Sequence, residues 1–412
     1  MFSVFTDFFG ELLKIILNKF DNWFFDRSVN YYSRENLSKV NQHLSIIPRA
    51  SFEETERLKK LLKNKNFLTV DMEIKNLYQS YMLDVLYEQK VTSVIGGIVS
   101  SDSSFEEVLN DFCDNFSDSY VPYLLRGIYY NYKGWKARGK KWAKSTTDNQ
   151  VKGMHEYFQL SQNDMKTALS YEPNLVHAYL YLINTSYHSP DSVAKNFYEE
   201  GVRLRPESFN LRWWYQATLR PRWGGSYEAM DVVAHSAAEY ADKNPMMPIL
   251  FGHKFKDISA IKRRKYGDHQ GAIENLEKAM MFGHYAPYLE SLAYIYYQKE
   301  DYRRALPLYD QVIQQLPLRR RPLEMRAAIH DRTNDYQNCA KDMDLVFRLG
   351  SVTANNYLYR GNCNKGLGYH QKALDDYYMA DLLDVNNSFE GLAENHINYY
   401  KAQGFEVSLE SK

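Results

Sequence analysis

The chain has 412 residues, of which 44% are hydrophobic and 25% charged, so it can bury a large core either as two or three domains or as one long solenoid. Its 51 Lys and Arg balance 51 Asp and Glu, so no whole-molecule charge argues for nucleic acid or an anionic membrane. The three cysteines, Cys113, Cys339 and Cys363, have no metal-ligand spacing and are too few for a disulfide framework. Reduced thiols in a cytoplasmic compartment are therefore expected.

The first 25 residues form an amphipathic pattern at helical spacing. Phe2, Phe5, Phe9, Leu12, Ile16, Phe20 and Trp23 fall on one stripe, and Asp7, Glu11, Lys14, Asn18 and Asn22 fall opposite. The embedded charges argue against a signal peptide or a spanning helix. The segment either packs on the rest of the protein or lies in a membrane interface, which leaves attachment to the inner membrane open. Its polar face carries as much acid as base, which favours packing.

Residues 51–118 read as two or three helices. Ser51 and Glu54 make a capping-box pattern for a helix through Leu62, and a longer helix is predicted from about Val70 to Tyr87. The run VTSVIGGIVSSDSS, with Gly96-Gly97 and a serine cluster, reads as a break, and Ser104 opens the next helix.

From Tyr120 a helix-pair logic begins. Tyr123, Arg126, Gly127 and Tyr130 suit a first helix whose partner follows a basic insertion and ends at Met165, Ala168 and Pro173. Further irregular units carry Leu182, Ala194, Tyr198 and Gly201, then Trp213, Ala217, Ala229 and Val233. The stretch NPMMPILFG is expected to separate these from a regular part. There Ala293, Ala327 and Gly361 recur at a step of 34, as do Ala305, Cys339 and Ala373, and Tyr309, Met343 and Tyr377. Small residues at that step let antiparallel helices touch, aromatics fill the groove between turns, and a proline such as Pro317 stops the second helix.

On these residues the stretch Gly252–Val385 resembles the tetratricopeptide-repeat (TPR) family, with departures such as Cys339 in place of the usual alanine. The resemblance implies an all-α fold: a right-handed α-solenoid of antiparallel helix pairs, irregular in the N-terminal half and regular in the C-terminal half. The predicted organisation is an N-terminal helix and linker over 1–50, an irregular repeat domain over 51–250, and regular repeats with a terminal capping helix over 251–412. The segments WKARG (Trp135–Gly139) and LRPRWGGS (Leu219–Ser226) are similar to those of an uncharacterised bacterial family of irregular helical repeats, over roughly Thr55–Glu239. That resemblance implies a bacterial protein and brings no catalytic residue with it.

Chemistry-bearing motifs are scarce: no phosphate-cradling glycine loop, no HExxH and no G-x-S-x-G occur. Neither cofactor nor metal is expected. The segment KGWKARGKKWAKS is basic and aromatic, with Trp135 and Arg138 as candidates to receive an acidic protein partner; the plainer reading is that Trp135 packs between helices. In the second signature, Arg220, Arg222 and Trp223 suit an anion or carboxylate receptor, or else a rigid connection in which Trp223 plugs a hole. The two glycines behind Trp223 suggest a turn needing positive φ.

The inner curve of the regular repeats draws on fixed positions of each first helix. These give Glu290, Tyr294, Tyr297 and Gln298, then Arg321, Glu324, Asp331 and Arg332, then Asn355, Leu358, Asn362 and Lys365. Such a mixed, tyrosine-bearing groove suits an extended or helical peptide. Glu290 and Glu324 stand where the resemblance would place the lysine of a carboxylate clamp, which argues against that clamp. The expected function is a non-catalytic protein-interaction scaffold with a protein or peptide partner, nucleic acid being disfavoured. The alternatives are an immunity protein that neutralises a bacterial toxin, and an enzyme with an unfamiliar site near Arg138 and Arg222.

Overall fold

The computed structural model describes residues 34–100, 102–139, 146–187, 191–350, 353–384 and 391–408. The amphipathic pattern of the first 25 residues, and the end of the basic segment from Lys140 to Ser145, lie outside them. Every regular element among the described residues is a helix. The first five are α1 (Arg34–Ile46), α2 (Phe52–Lys63), α3 (Phe67–Leu83), α4 (Glu88–Ile98) and α5 (Ser104–Asn115). Antiparallel pairs follow: α6 with α7 (Tyr120–Arg138, Asp148–Tyr171), α8 with α9 (Val176–Asn184, Asp191–Leu204), and α10 with α11 (Phe209–Thr218, Tyr227–Ala238). The regular pairs are α12 with α13 (Gly252–Tyr266, His269–Met280), α14 with α15 (Ala286–Gln298, Tyr302–Gln315), α16 with α17 (Arg320–Arg332, Tyr336–Arg348) and α18 with α19 (Ala354–Gly366, His370–Leu383). The helices pack in consecutive pairs, the all-α solenoid arrangement expected.

The helices start where their caps place them. The Ser51 hydroxyl accepts the Glu54 N–H at α2, and Thr147 and Gln150 close a reciprocal capping box at α7. Within the regular pairs one turn repeats. A residue at positive φ (Gly267, Glu300, Asn334) precedes an aspartate (Asp268, Asp301, Asp335) whose carboxylate accepts an amide three residues on. The left-handed residue reverses the chain and the aspartate restarts it.

The small-residue trios do the packing assigned to them. Ala293, Ala305, Ala327, Cys339 and Ala373 are fully buried, as are Tyr309, Met343 and Tyr377. Ala293 and Ala305 share one apolar cluster with Leu276, Ile295 and Ile329. At Gly361 a Cβ would stand 2.8 Å from the Tyr377 ring, so that glycine brings α18 onto α19. α20 (Leu392–Ala402) covers the last pair through Ala393, Ile397 and Tyr400.

Inside three pairs a buried ion pair spans the two helices. Arg126 meets Asp164 through two bonds of 2.9 and 2.8 Å, Arg326 meets Asp342 at 2.8 and 2.6 Å, and Arg360 grips Asp376 with its shortest bond at 2.6 Å. Arg326 and Arg360 are one period of 34 apart, as are Asp342 and Asp376. The equivalent positions of the α14/α15 pair hold Leu292 and Leu308 in the apolar cluster around Ala293.

Several sequence expectations are corrected. Gly96 and Gly97 do not break the chain but lie inside α4, where a Cβ would come 2.9 Å from the Tyr132 hydroxyl and 2.8 Å from Thr55 Cγ2 respectively. They are close-approach residues, and the break falls only at Val99. The helix expected to reach Tyr87 stops at Leu83 and is followed by a short 3-10 turn over Val85–Tyr87. The run NPMMPILFG is core rather than separator: Met247, Ile249, Leu250 and Phe251 are buried in the cluster that joins α1 to α10–α14. Cys339 and Cys363 form a disulfide with Cα atoms 5.8 Å apart. Here the repeat register sets a small buried position of α17 against α18, so two cysteines can pair without a disulfide framework.

The N-terminal helices do not extend the stack outward. They run back along the rim formed by the loops that connect one pair to the next. The Asn41 side-chain oxygen of α1 accepts the His284 N–H at 2.8 Å. A Cβ on Gly97 of α4 would lie 3.5 Å from Leu318. Arg348, the last residue of α17, lies 4.3 Å over the Phe52 ring and 3.4 Å from Glu53, at the start of α2.

Candidate binding groove

The first helices α10, α12, α14 and α16 stand side by side on the inner curve. A cavity of about 300 Å³ opens between them. Trp213, Ser259, Pro287 and Ile295 form part of its wall; Arg220, Lys256, Arg263, Arg264, Arg319 and Arg321 supply six cations, and Glu290 is the one acid. Glu290 is engaged by Arg319 at 3.1 Å. Arg263 and Arg321 both lie over the Tyr294 ring, at 5.0 and 5.1 Å, which holds their guanidinium planes while leaving N–H donors free to point elsewhere.

The deep end is polar and ordered. His253 stacks on Trp213 with ring centroids 3.7 Å apart. Arg220 donates to His253 Nε2 at 3.2 Å, so that nitrogen is the acceptor and the proton sits on Nδ1, 3.1 Å from the Gln216 side-chain oxygen. Burial, reinforced by Arg220, Lys256 and Arg222, holds His253 well below the usual histidine range, in keeping with a neutral ring. Asp257, almost fully buried, takes Arg222 at 2.6 Å and the Tyr227 hydroxyl at 3.2 Å, with Arg220 3.8 Å away. Burial, then Arg220, lowers Lys256 to about 7, with Asp257 opposing.

The expected site residues fall into three stations. Arg220, from the loop after α10, meets Glu290 and Tyr294 of α14 at the cavity. Farther along the curve, Tyr297 pairs with Arg332, Asn362 donates to Asp331 at 3.2 Å, and Asn356 donates to Glu324 at 3.1 Å. Burial raises the Asp331 carboxyl, against the smaller pulls of Asn362, Arg332 and Lys365. At the other end, the two signature segments converge on Tyr187. Its ring is 5.4 Å from Trp135 and 5.2 Å from Trp223, and Arg138 lies 5.9 Å over Trp223. Trp135 Nε1 donates to Asn184 at 2.6 Å, and its ring meets Phe158, so this tryptophan is also a packing residue.

Sequence reasoning missed Lys256, Arg263, Arg264, Arg319, Trp213 and His253. The cationic run Arg263-Arg264-Lys265 was the available signal, but its meaning depends on α14 and α16 lying beside it. The turn behind Trp223 needs both glycines for different reasons. Gly224 has φ +97°, while a Cβ on Gly225 would stand 2.2 Å from the Leu219 carbonyl oxygen. Gly225→Ala is therefore expected to lower the thermal midpoint by several degrees, about 1–2 kcal/mol of strain, read by circular dichroism; an unchanged midpoint would show that the loop relaxes.

No family model matches the chain, and no curated protein matches it. Distant likenesses occur among solved structures. A tetratricopeptide repeat protein from Parabacteroides merdae is 14% identical, covering 59% of this chain and 92% of that one, with a TM-score of 0.28. Yeast Tom70 is 12% identical over 85% of this chain and 88% of its own, with a TM-score of 0.29. A human IFIT1 dimer with PPP-AAAA is 11% identical over 90% of each chain, with a TM-score of 0.36. TM-scores this low carry no argument about residues or ligands; the fold rests on the helix pairing itself.

Proposed function

We propose that the protein is a non-catalytic scaffold that holds an acidic segment of a protein partner along its inner curve. One observation carries this reading: α12, the start of α16 and the loop behind α10 bring six cations to one wall, beside a single, already paired acid on α14. Folding self-repulsive charge into a concave wall is unfavourable unless an anion is to be received there. Tyr294 and Tyr297, whose rings lie 6.4 Å apart, add flat contact surface beside the guanidinium groups. In this reading residues 251–412 supply most of the groove, and residues 51–250 supply Arg220 and the aromatic station around Tyr187. The bacterial setting rests on the resemblance carried by WKARG and RPRWGGS; a cytoplasmic setting rested on reduced cysteines, and the Cys339–Cys363 disulfide counts against it. Among the described residues no helix is long and apolar enough to cross a membrane.

Fluorescence anisotropy with a labelled Glu/Asp-rich peptide tests the proposal. Binding is expected to weaken as salt is raised, and Arg263→Glu with Arg321→Glu should reduce affinity at least about tenfold, roughly 1.4 kcal/mol. Equal affinity of wild type and the double variant, both folded by circular dichroism, would remove the inner curve as the docking surface.

A further inference from the structure

We propose that the cavity between α10, α12, α14 and α16 receives a dianionic phosphoryl group carried on the partner peptide. The inference rests on the scaffold reading and names the chemical group the groove selects. Four of the six cations, Lys256, Arg263, Arg264 and Arg321, have no carboxylate partner among the described residues, Arg220 only reaches Asp257 at 3.8 Å, and Arg319 is occupied by Glu290.

These charges are concentrated in one cavity rather than strung along the groove. A run of carboxylates presents one charge per residue, spread along a chain. A phosphoryl group places nearly two charges and three acceptor oxygens on one centre, and guanidinium forks match that geometry with paired N–H donors. The cavity's 300 Å³ is about ten times the ~30 Å³ share of one water, so a tetrahedral oxyanion fits together with the side chain that bears it. Tyr294 lines the cavity and Tyr297 lies 6.4 Å from it along α14, which gives the peptide beside the phosphoryl group an aromatic surface to follow.

Lys256 adds a chemical signature. It makes no ion pair or hydrogen bond among the described residues. Around it stand Arg220 and Arg222 from the loop after α10, Asp257, Arg263 and Arg264 from its own helix, His253 one turn back, Glu290 from α14, and Arg319 and Arg321 from the start of α16. Burial, then Arg220, lowers its pKa to about 7, so its ammonium titrates in the neutral range. A dianion in the cavity favours the protonated form, so binding takes up a proton. The phosphoryl group loses its second charge below about pH 6, so affinity is greatest between about pH 6 and 7 and falls as the pH rises above that.

Isothermal titration calorimetry of the full chain tests this with four probes: a short acidic peptide bearing one phosphoserine, the same peptide with serine, the same with glutamate, and inorganic phosphate. A 5′-phosphorylated oligonucleotide serves as the competing macromolecule. The phosphopeptide is expected to bind at least about tenfold more tightly than either other peptide and than inorganic phosphate. Lys256→Met, which removes a buried charge and keeps the aliphatic stem, should abolish that difference and the proton uptake measured in buffers of different ionisation enthalpy. Lys256→Arg keeps the charge and should retain the preference without the pH dependence near 7. Equal binding of the phosphoserine and glutamate peptides overturns the inference and leaves the scaffold reading standing. Tightest binding by inorganic phosphate or by the oligonucleotide overturns it in favour of those ligands, and no binding by any probe overturns both proposals.

Discussion

Glu88→Ala is expected to lower the unfolding free energy by on the order of 3 kcal/mol, since each buried donor left without an acceptor costs about 1–3 kcal/mol. Glu88 is 2% exposed in α4, yet it completes the start of α10, a helix 120 residues later in the chain. Its carboxylate accepts from the Ser208 hydroxyl and from the amides of Phe209 and Asn210, at 3.0 and 3.3 Å for the amides. Ser208 in turn accepts the Leu211 N–H at 3.2 Å as the N-cap. Removing the carboxylate orphans three donors at once, in a place water does not reach. Glu88→Gln keeps the shape and one acceptor and should recover part of the loss, as urea unfolding would show.

The same residue gives a pH dependence of definite sign. Burial raises Glu88 from 4.5 to about 7, against the pull of Ser208 and the two amides. A folded-state pKa above the unfolded one means that the folded protein binds more protons across that interval. This contribution to stability is full below about 4.5 and is lost as the pH rises through about 7. Urea midpoints should therefore fall between about pH 5 and 7.5 in the wild type and less steeply in Glu88→Gln. A slope identical in the two proteins would mean that the carboxyl is ionised throughout.

The second large effect concerns the ion pair between α16 and α17. Asp342→Leu alone removes the inner carboxylate of Arg326, which keeps only the exposed Asp310 at 2.7 Å, and should destabilise by about 1–3 kcal/mol. Adding Arg326→Leu to the same protein should restore most of that loss, because two packed aliphatic side chains commonly replace a buried pair without penalty. The protein already contains this experiment: the α14/α15 pair carries Leu292 and Leu308 at the equivalent positions and packs them in its apolar cluster. A double variant as unstable as Asp342→Leu would show that the pair has a role beyond filling the space between the helices.

These cases also show what a single sequence can reveal. The step of 34 was legible because Ala293, Ala327 and Gly361 must be small for two helices to touch, and that requirement is local to each unit. Two of the Arg–Asp pairs, Arg326–Asp342 and Arg360–Asp376, obey the same step, but a charged pair 16 residues apart reads as solvated surface until the helices are placed. Gly96-Gly97 was misread for a related reason. A glycine that admits the Tyr132 hydroxyl and a glycine that ends a helix look alike in sequence. The cavity was the least legible of all. Arg220, Lys256, Arg264, Glu290 and Arg321 come from four elements spread over about a hundred residues, and only the stacking of α12, α14 and α16 brings them to one wall. The cap at Glu88 was hidden by the same long range.

The return of α2 and α4 along the rim bears on mechanics. A bare stack of helix pairs behaves as a spring, because each unit touches only its neighbours and small rotations add up along the coil. Here Glu53 meets Arg348 across 295 residues and Leu318 seats beside Gly97, so α2 and α4 tie the end of α17 to the loop before α16. Opening or tightening the curve would have to break those latches together. The stiffness that results sets the groove's width before any partner arrives, and little conformational freedom is then left to lose on docking.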